Sequence, residues 1–222
     1  MRLAELRDGD VLFIDEVHAI PRLVAEFLYE ALAEGQLSLS ITHAGRCRSV
    51  TLRLPAFTLV GATTDEGQLP GAFVDRFENR EQLRYYDVPE LAELITQVAQ
   101  CATIPIDPDA ARQLAGVSRQ TPREALRLLR RAHREARVAG TTTIDRATVA
   151  RTLNRLQIDD RGLGPVDREC VAILKARNGD PTGVQRVAGQ LGVSAATLER
   201  LHEPYLLRLG LIVIVPGGRV AA

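Results

Sequence analysis

Lysine is nearly absent from this 222-residue sequence, in which Lys175 is the only lysine among 28 basic residues. A phosphate-binding loop of the form Gly-x-x-x-x-Gly-Lys-Ser/Thr needs a lysine that reaches the β- and γ-phosphates of a nucleotide. Lys175 stands in Ile173-Leu174-Lys175-Ala176-Arg177, with no glycine framework before it. These 222 residues therefore contain no loop of this type.

Cysteine and histidine are also scarce, and their spacing excludes further classes of site. No Cys-x-x-Cys pair occurs, and the histidines are too scattered to suggest a metal site. We predict free thiols for all three cysteines. The residues are Cys47, Cys101, Cys170, His18, His43, His133 and His202.

Long apolar runs are missing as well. No stretch approaches the roughly 18 to 20 apolar residues that span a membrane, and the N-terminus lacks the apolar core of a signal peptide. We therefore expect a cytoplasmic protein with no membrane partner. The content of 45% hydrophobic and 25% charged residues is typical of a globular chain with one large or two to three small domains. The net charge of zero does not point to nucleic acid.

Four apolar residues followed by two carboxylates form the stretch Val11-Leu12-Phe13-Ile14-Asp15-Glu16. This pattern is typical of a Walker B site. There, a buried parallel strand ends in one acid that holds Mg²⁺ and a second acid that orients the attacking water. The alternative is a buried strand that runs into a helix beginning with acids, which favour a helix N-terminus. On this stretch alone, both interpretations stay open.

Downstream of the acid pair, periodicity predicts a helix, a hairpin and a second buried strand. Apolar residues at helical spacing cover Pro21 to Ala33. Alternation over 37–41 and 50–54, around His43-Ala44-Gly45-Arg46, predicts a β-hairpin whose arginines Arg46, Arg48 and Arg53 make it basic. The hairpin is either solubilised by arginine or a partner surface.

The second strand, 57–61, ends at Thr63 and Thr64. A hydroxyl at a strand end can lie beside a γ-phosphate or the attacking water, which is the sensor-1 role, although threonine is common there for no special reason. Arg76, between Phe73 and Phe77, can be an arginine finger that reaches the phosphate of a neighbouring subunit, or part of an ordinary ion pair.

The C-terminal part of the sequence predicts a helical bundle and then a winged helix. Four helices are predicted over 89–101, 107–116, 122–139 and 145–156, and Thr121-Pro122-Arg123 opens the third. A linker over 159–165 is followed by helices over 166–177, 184–191 and 195–202, a strand over 205–213 and a short strand near 216–220. Such a domain usually binds DNA, although many serve protein contacts.

Five motifs in this order resemble the RuvB family, the AAA+ motors of bacterial Holliday-junction branch migration. The match extends along nearly the whole chain, and the last motif is more specific than any general AAA+ signature. The motifs are Leu-Phe-Ile-Asp-Glu-Val-His at 12–18, Gly-Ala-Thr-Thr at 61–64, Asp-Arg-Phe at 75–77, Thr-Pro-Arg at 121–123 and His-Glu-Pro-Tyr-Leu at 202–206.

The resemblance implies an α/β AAA+ core with a partial parallel sheet over 1–87, an all-α lid over 88–157 and a winged-helix domain over 160–222. It implies ATP and Mg²⁺ as cofactors, a hexameric ring, Holliday-junction DNA as substrate, and a RuvA-like partner that contacts the hairpin 37–54. The implied residue roles are Asp15 on Mg²⁺, Glu16 on the catalytic water, Thr63 and Thr64 at sensor 1, Arg76 as the finger in trans, Tyr86 and Arg123 on nucleotide from the lid, and Arg219 on the DNA backbone.

Two departures from the family pattern carry expectations of their own. The wing stretch Ile214 to Arg219 lacks two arginines, so we expect its DNA binding to be weaker and less salt-dependent. The strands, phosphate loop and helix that precede the Walker B strand in the family are missing. With the family sheet order 5-1-4-3-2, their loss opens a gap beside strand 5, near 83–86, and exposes an edge at 11–14. We expect this chain alone to be poorly stable in its first part and unable to bind ATP normally.

Two functions remain open. One is a branch-migration ATPase whose N-terminal third is missing from the sequence. The other is a catalytically inactive binding module that keeps the winged helix and its protein contacts. Intact Asp15, Glu16, Arg76 and Arg123 favour the ATPase, because an inactive module has no chemical need for all four. A different AAA+ protein, such as a clamp loader or replication initiator, is disfavoured by residues 202–211.

Overall fold

The structure is a computed structural model that describes residues 5–43 and 46–222, without the side chains of 39–48. The chain divides into two compact units, Met1–Gln82 and Leu83–Ala222, and each is described by itself. Ala44 and Gly45, at the predicted hairpin turn, lie outside the described residues, as do the side chains of Arg46, Arg48 and Cys47.

The first unit is built around two parallel strands, β1 (Val11–Ile14) and β4 (Thr58–Gly61), which pair from Val11 with Thr58 to Ile14 with Gly61. Leu12 and Ile14 of β1 pack against the buried Val17, Leu28 and Phe73. The alternate residues Val11 and Phe13 are 65% and 60% exposed. Parallel strands are normally covered on both faces. In this two-stranded sheet, one face of β1 is packed and the other is exposed.

Helix α1 (Arg22–Glu34) connects β1 to a long antiparallel hairpin, and it ends at Gly35, whose φ of 64° is the left-handed conformation of a helix C-cap. The hairpin consists of β2 (Gln36–His43) and β3 (Arg46–Arg53), in register from Gln36 with Arg53 to His43 with Arg46. The backbone N–H of Ser38 donates to Glu30 of α1 at 2.9 Å, which ties the hairpin base to the helix. The short helix α2 (Gly71–Val74) follows β4 (Thr58–Gly61).

The predicted fifth strand near 83–86 is wrong, because these residues form no strand among those that the structure describes, and Leu83 is 92% exposed. A parallel strand needs a neighbour for its backbone hydrogen bonds. Among the described residues, no strand lies beside 83–86 to form such bonds. The backbone N–H of Tyr86 instead donates to the carbonyl oxygen of Gln120 at 3.1 Å.

The second unit opens with a four-helix bundle formed by α3 (Val88–Cys101), α4 (Pro108–Gly116), α5 (Pro122–Val138) and α6 (Arg146–Leu156). Its core is one apolar cluster centred on residues such as Leu91, Ile95, Leu114 and Leu128, all with no exposed surface. Asp87 and Glu90 cap the start of α3 by accepting each other's backbone N–H at 2.9 Å.

The same unit ends in a winged helix. It contains α7 (Pro165–Lys175), α8 (Val184–Leu191), α9 (Ala195–Thr197), a π-helical turn (Leu198–His202), α10 (Glu203–Arg208), and the wing strands β5 (Ile212–Val215) and β6 (Gly218–Ala221). Thr182 exchanges two backbone hydrogen bonds with Arg219, which joins the segment before α8 to the wing. Cys170, in the core, has its pKa raised to about 11 by burial, and its thiol and that of Cys101 are free.

The predicted strand over 205–213 is wrong in its first half, which is helical. Pro204 lacks a backbone N–H, and the π-helical turn just before it widens the helix, so the chain continues as α10. Tyr205 and Leu206 are then buried on its inner face. Gly210, with φ of 62°, ends the helix, and the Leu211 N–H donates to the Leu206 carbonyl at 2.9 Å in a Schellman-type closure. Across the described part of the chain, no helix combines the length and apolar character needed to cross a membrane.

Candidate functional site

The carboxyl ends of β1 and β4 bring the predicted acid pair and threonine pair together. Because the strands are parallel and in register, residues 15–16 and 63–64 emerge at the same edge of the sheet. Two backbone hydrogen bonds extend the pairing past the strands, from Ala62 N–H to Ile14 and from Val17 N–H to Ala62, both at 2.9 Å. Apolar burial of the strands thus positions four polar side chains.

Glu16 has an unusual backbone conformation, with φ of 49° and ψ of 49°. A residue with a Cβ rarely adopts this left-handed region unless the surroundings impose it, and such residues cluster at functional sites. The Glu16 N–H donates to Asp15 Oδ1 at 3.0 Å, and the Glu16 carboxylate accepts from the Thr64 hydroxyl at 3.1 Å. The turn gives the two acids different partners, a backbone N–H for Asp15 and a hydroxyl for Glu16.

His18 completes this cluster, and sequence reasoning missed it. Its Nδ1 lies 2.8 Å from Thr63 Oγ1 and 3.4 Å from Glu16 Oε2. The Thr63 oxygen also accepts the backbone N–H of Asp65 at 3.0 Å. The only hint in the sequence was that a histidine stands three residues after the first acid. Its contact with Glu16 and Thr63 depends on the left-handed turn at Glu16, which the sequence does not indicate.

Asp15 is suited to Mg²⁺. Its carboxylate is exposed at the strand end, and a single backbone N–H occupies one of its oxygens. Mg²⁺ is bound by hard oxygens, typically one or two carboxylates together with waters and substrate phosphates. Among the described residues, no group of three or more His, Cys, Asp or Glu side chains converges on a common point.

Arg76 is exposed just after α2 and has two side-chain contacts to one tyrosine. Its Nη2 donates to the Tyr29 hydroxyl at 2.9 Å, and its Cζ lies 4.6 Å from the centre of the Tyr29 ring. Phe73 and Phe77 anchor the backbone on both sides, with their rings edge to face at 5.3 Å. Aromatic packing thus presents the guanidinium at the surface without a carboxylate contact among the described residues.

Tyr86 and Arg123 belong to the second unit, where the backbone of Tyr86 is hydrogen-bonded to the loop that precedes the helix of Arg123. Arg123 is exposed in the first turn of α5, and Tyr86 is half-exposed, its N–H bonded to Gln120 just before that helix. Arg84 pairs with Glu90 nearby. The hydrogen bond from Arg84 is the largest cause, ahead of the Asp87 backbone, of a Glu90 pKa lowered to about 2.

Arg219 forms bonds to carboxylates, so its placement differs from that of a free wing arginine. Nε and Nη2 bind both oxygens of the buried Glu203 at 2.6 and 3.0 Å, and Nη2 also binds Glu199 at 3.0 Å. The hydrogen bond to Glu203 raises the pKa of Arg219. The side chain is only 13% exposed. A phosphate has to compete with two carboxylates for this guanidinium, while Val213 and Ile214 project from the wing.

Arg119 was also missed by sequence reasoning, and it connects the helical bundle to the winged helix. Its three nitrogens donate to Gly162 O at 3.1 Å, to Leu201 O at 3.4 Å and to Asp167 at 2.5 Å. Asp167 is fully buried and also contacts His202 Nδ1 at 2.7 Å. These contacts hold the loop immediately before the Arg123 helix.

Three family models match consecutive parts of the chain. They are the Holliday junction DNA helicase RuvB P-loop domain over residues 1–83, the RuvB AAA lid domain over 86–159 and the RuvB C-terminal winged helix domain over 160–222. Together they cover the bundle, the winged helix and the strand-end cluster.

Curated proteins and solved structures match over almost the whole chain. The Holliday junction branch migration complex subunit RuvB of Limosilactobacillus reuteri (strain DSM 20016) is 40% identical over 219 residues, 98% of this chain and 65% of that protein. The Corynebacterium aurimucosum protein of the same name is 41% identical, over 99% of this chain and 61% of that protein. The Thermotoga maritima RuvB Holliday junction branch migration motor superposes with a TM-score of 0.80 at 37% identity, over 99% of this chain and 69% of that one. This chain thus spans about two thirds of the length of these relatives.

Proposed function

This chain belongs to the RuvB family, and we propose that it acts as an ATP-hydrolysing motor subunit in Holliday-junction branch migration during DNA recombination and repair. The observation that carries the proposal is the convergence of Asp15, Glu16, Thr63 and Thr64 at one strand end, with Glu16 already bonded to Thr64. An inactive module needs neither the left-handed turn nor the hydroxyl contact.

Each residue of the site has a proposed task. Asp15 holds Mg²⁺, which would neutralise charge on the transferring phosphoryl group, and Glu16 orients the attacking water. Thr63 and Thr64 supply hydroxyls beside the reacting oxygens. Tyr86 and Arg123 contact nucleotide from the lid. The residues that cradle the phosphates are not among these 222, so ATP binding needs a phosphate-binding loop in addition to them.

An arginine finger supplied in trans acts on the nucleotide of an adjacent subunit. We therefore propose a homo-oligomeric ring, a hexamer as in the family, in which Arg76 reaches the site of the next subunit. The hairpin formed by β2 and β3 would contact a RuvA-like junction-binding protein. The winged helix would contact the junction DNA. The protein would act in the cytoplasm, where that DNA lies.

A mixed-ring assay tests the motor function with the chain as it is. A RuvB relative that carries a phosphate-binding loop, and whose own finger arginine has been replaced, is mixed with this chain and a synthetic four-way DNA junction. We expect this chain to restore Mg²⁺-dependent ATP hydrolysis by supplying Arg76, and Arg76→Ala to lose the restoration by about 10³-fold. Arg80→Ala is the matched control, because Arg80 is exposed and pairs with Asp75 and Glu66.

The second candidate function is a DNA- or protein-binding module without catalysis. The winged helix and the hairpin formed by β2 and β3 would supply its contacts, and neither needs a phosphate-binding loop. Junction binding measured by fluorescence anisotropy, without any restored hydrolysis in the mixed ring, would support this module and contradict the motor. Restoration that depends on Arg76 would exclude it.

A further inference from the structure

His18 lies between two residues proposed to act in hydrolysis. Its Nδ1 is 2.8 Å from the Thr63 oxygen and 3.4 Å from a Glu16 oxygen, and its side chain is 19% exposed whereas that of Glu16 is 51% exposed. One ring nitrogen therefore contacts both the candidate water-orienting acid and the candidate sensor hydroxyl. The direction of the hydrogen bonds depends on whether Nδ1 carries a proton.

The hydroxyl of Thr63 has one proton to donate and two lone pairs to accept. One lone pair already receives the Asp65 N–H at 3.0 Å. If His18 Nδ1 has no proton, Thr63 must donate to it, and the hydroxyl proton is used. If Nδ1 is protonated, Thr63 accepts a second hydrogen bond, and its own proton is left for another acceptor.

The Glu16 carboxylate selects between these arrangements. An unprotonated Nδ1 would place its lone pair 3.4 Å from a negatively charged Glu16 oxygen, which is repulsive. A protonated Nδ1 would instead be attracted by both the Glu16 oxygen and the Thr63 oxygen. Glu16 also accepts from the Thr64 hydroxyl, so its negative charge is held in place at 3.1 Å.

We propose that His18 is a positioning residue whose Nδ1–H donates to Thr63 and, at longer range, to Glu16. The Thr63 hydroxyl proton is thereby kept available for an anionic oxygen at the strand end, such as that of a phosphate. The proton arrangement follows from the cluster geometry alone, whereas the use of the freed proton in ATP hydrolysis rests on the proposed function.

Nuclear magnetic resonance of the histidine ring nitrogens tests the arrangement in this chain without nucleotide. With ¹⁵N-labelled histidine there are four rings to assign, and His18 is identified by its loss in His18→Asn. Over a pH series we expect the His18 Nδ1 to carry the proton in the neutral ring. An unprotonated Nδ1 in the neutral ring would overturn the proposal, whatever the protein's function.

A matched pair of variants separates hydrogen bonding from packing. His18→Asn places an amide N–H₂ near the position of Nδ1, while His18→Asp has the same shape but can only accept. We expect the backbone amide resonances of Thr63 to Asp65 to stay close to wild type in His18→Asn. They should shift in His18→Asp, where the Thr63 hydroxyl turns to the new carboxylate. Equal shifts in both variants would mean that His18 only fills space.

The rate of ATP hydrolysis is the second measurement. It is made with an assembly in which this chain supplies the catalytic acids Asp15 and Glu16 and a phosphate-binding loop lies at the same site. There, His18→Asn should keep kcat near wild type, and His18→Asp should lower kcat by about 10²-fold with little change in KM. In the mixed ring that reports only on Arg76, neither variant should matter. If the ring tautomer is as proposed but kcat is equal in the two variants, the role in hydrolysis is wrong and the arrangement stands.

Discussion

The guanidinium of Arg76 lies over the ring of Tyr29, at 4.6 Å, and donates to the hydroxyl of the same side chain at 2.9 Å. Tyr29 is in the middle of α1, the helix that follows the Asp15–Glu16 turn. The candidate finger is therefore held by the helix that continues from the candidate acids of its own subunit. A cation over an aromatic face is stabilised at an exposed site by about 0.5 to 1 kcal/mol, enough to bias the side chain towards one direction but weak enough to release it.

We predict a graded effect of Tyr29 substitutions on the mixed-ring ATPase. Tyr29→Phe keeps the ring and should retain most of the restored hydrolysis. Tyr29→Leu removes both contacts and should lower it by about 10-fold, because Arg76 then samples unproductive directions. The measurement is kcat with this chain in excess. Equal activity of the leucine variant and wild type would show that Tyr29 does not position Arg76.

The two strands and their polar ends were predictable from the sequence, because apolar runs that end in acids or hydroxyls identify parallel strands whose carboxyl ends meet. The predicted fold class, an α/β AAA+ core with a helical lid and a winged helix, and the resemblance to RuvB are both confirmed by the family models. The contacts of His18 with Thr63 and Glu16 were not predictable, since the direction of its side chain depends on a left-handed backbone at Glu16 that no local pattern indicates.

Two other misses have equally local causes. The run from Tyr205 to Val213 contains too many apolar residues to show a period, so helix and strand could not be distinguished. The partners of Arg219 lie 16 and 20 residues earlier in sequence, and sequence spacing did not reveal that pairing. Long-range ion pairs of this kind depend on tertiary packing.

For Arg219 we predict a structural effect that must be separated from any effect on DNA. Arg219→Ala leaves the Glu203 carboxylate buried without its cation, so the free energy of unfolding should fall by roughly 2 to 3 kcal/mol. Arg219→Gln combined with Glu203→Gln removes both charges and should recover much of this loss, as measured by urea unfolding.

The double variant then tests the DNA contact. If Arg219 also contacts a phosphate, the slope of log K against log salt for four-way junction binding should become shallower by about one. An unchanged slope in the stable double variant would assign Arg219 to the fold alone and contradict its predicted role on DNA.

The fall in the stability of the fold at acid pH should depend on Glu90. Its pKa in the folded chain is about 2, lowered first by Arg84 and then by the Asp87 backbone, from an ordinary value of 4.5. A carboxylate with a depressed pKa stabilises the fold above its unfolded pKa, and this contribution is lost as pH falls from 4.5 towards 2. Glu90→Gln keeps a capping side chain but not the charge. We expect the wild type to have the higher melting temperature at pH 7 and the difference to vanish near pH 2. A difference that is independent of pH would contradict this assignment.

Asp167 should be the most sensitive charged position in the second unit. Its carboxylate has no exposed surface, yet it accepts from Arg119 and from the Gly164 N–H at 2.7 Å and contacts His202. Removing it takes the shared carboxylate away from Arg119, the Gly164 N–H and His202 at once. Asp167→Ala should therefore lower the free energy of unfolding by about 3 to 5 kcal/mol.

Asp109→Ala is the matched control, since it breaks an exposed pair with Arg112 and should cost less than about 1 kcal/mol. Because Arg119 precedes the helix that begins at Pro122, exchange of the hydrogen-bonded amides of Thr121 and Ala125 should accelerate in Asp167→Ala and stay unchanged in Asp109→Ala. Equal protection in both variants would mean that the buried carboxylate does not hold the loop before Arg123.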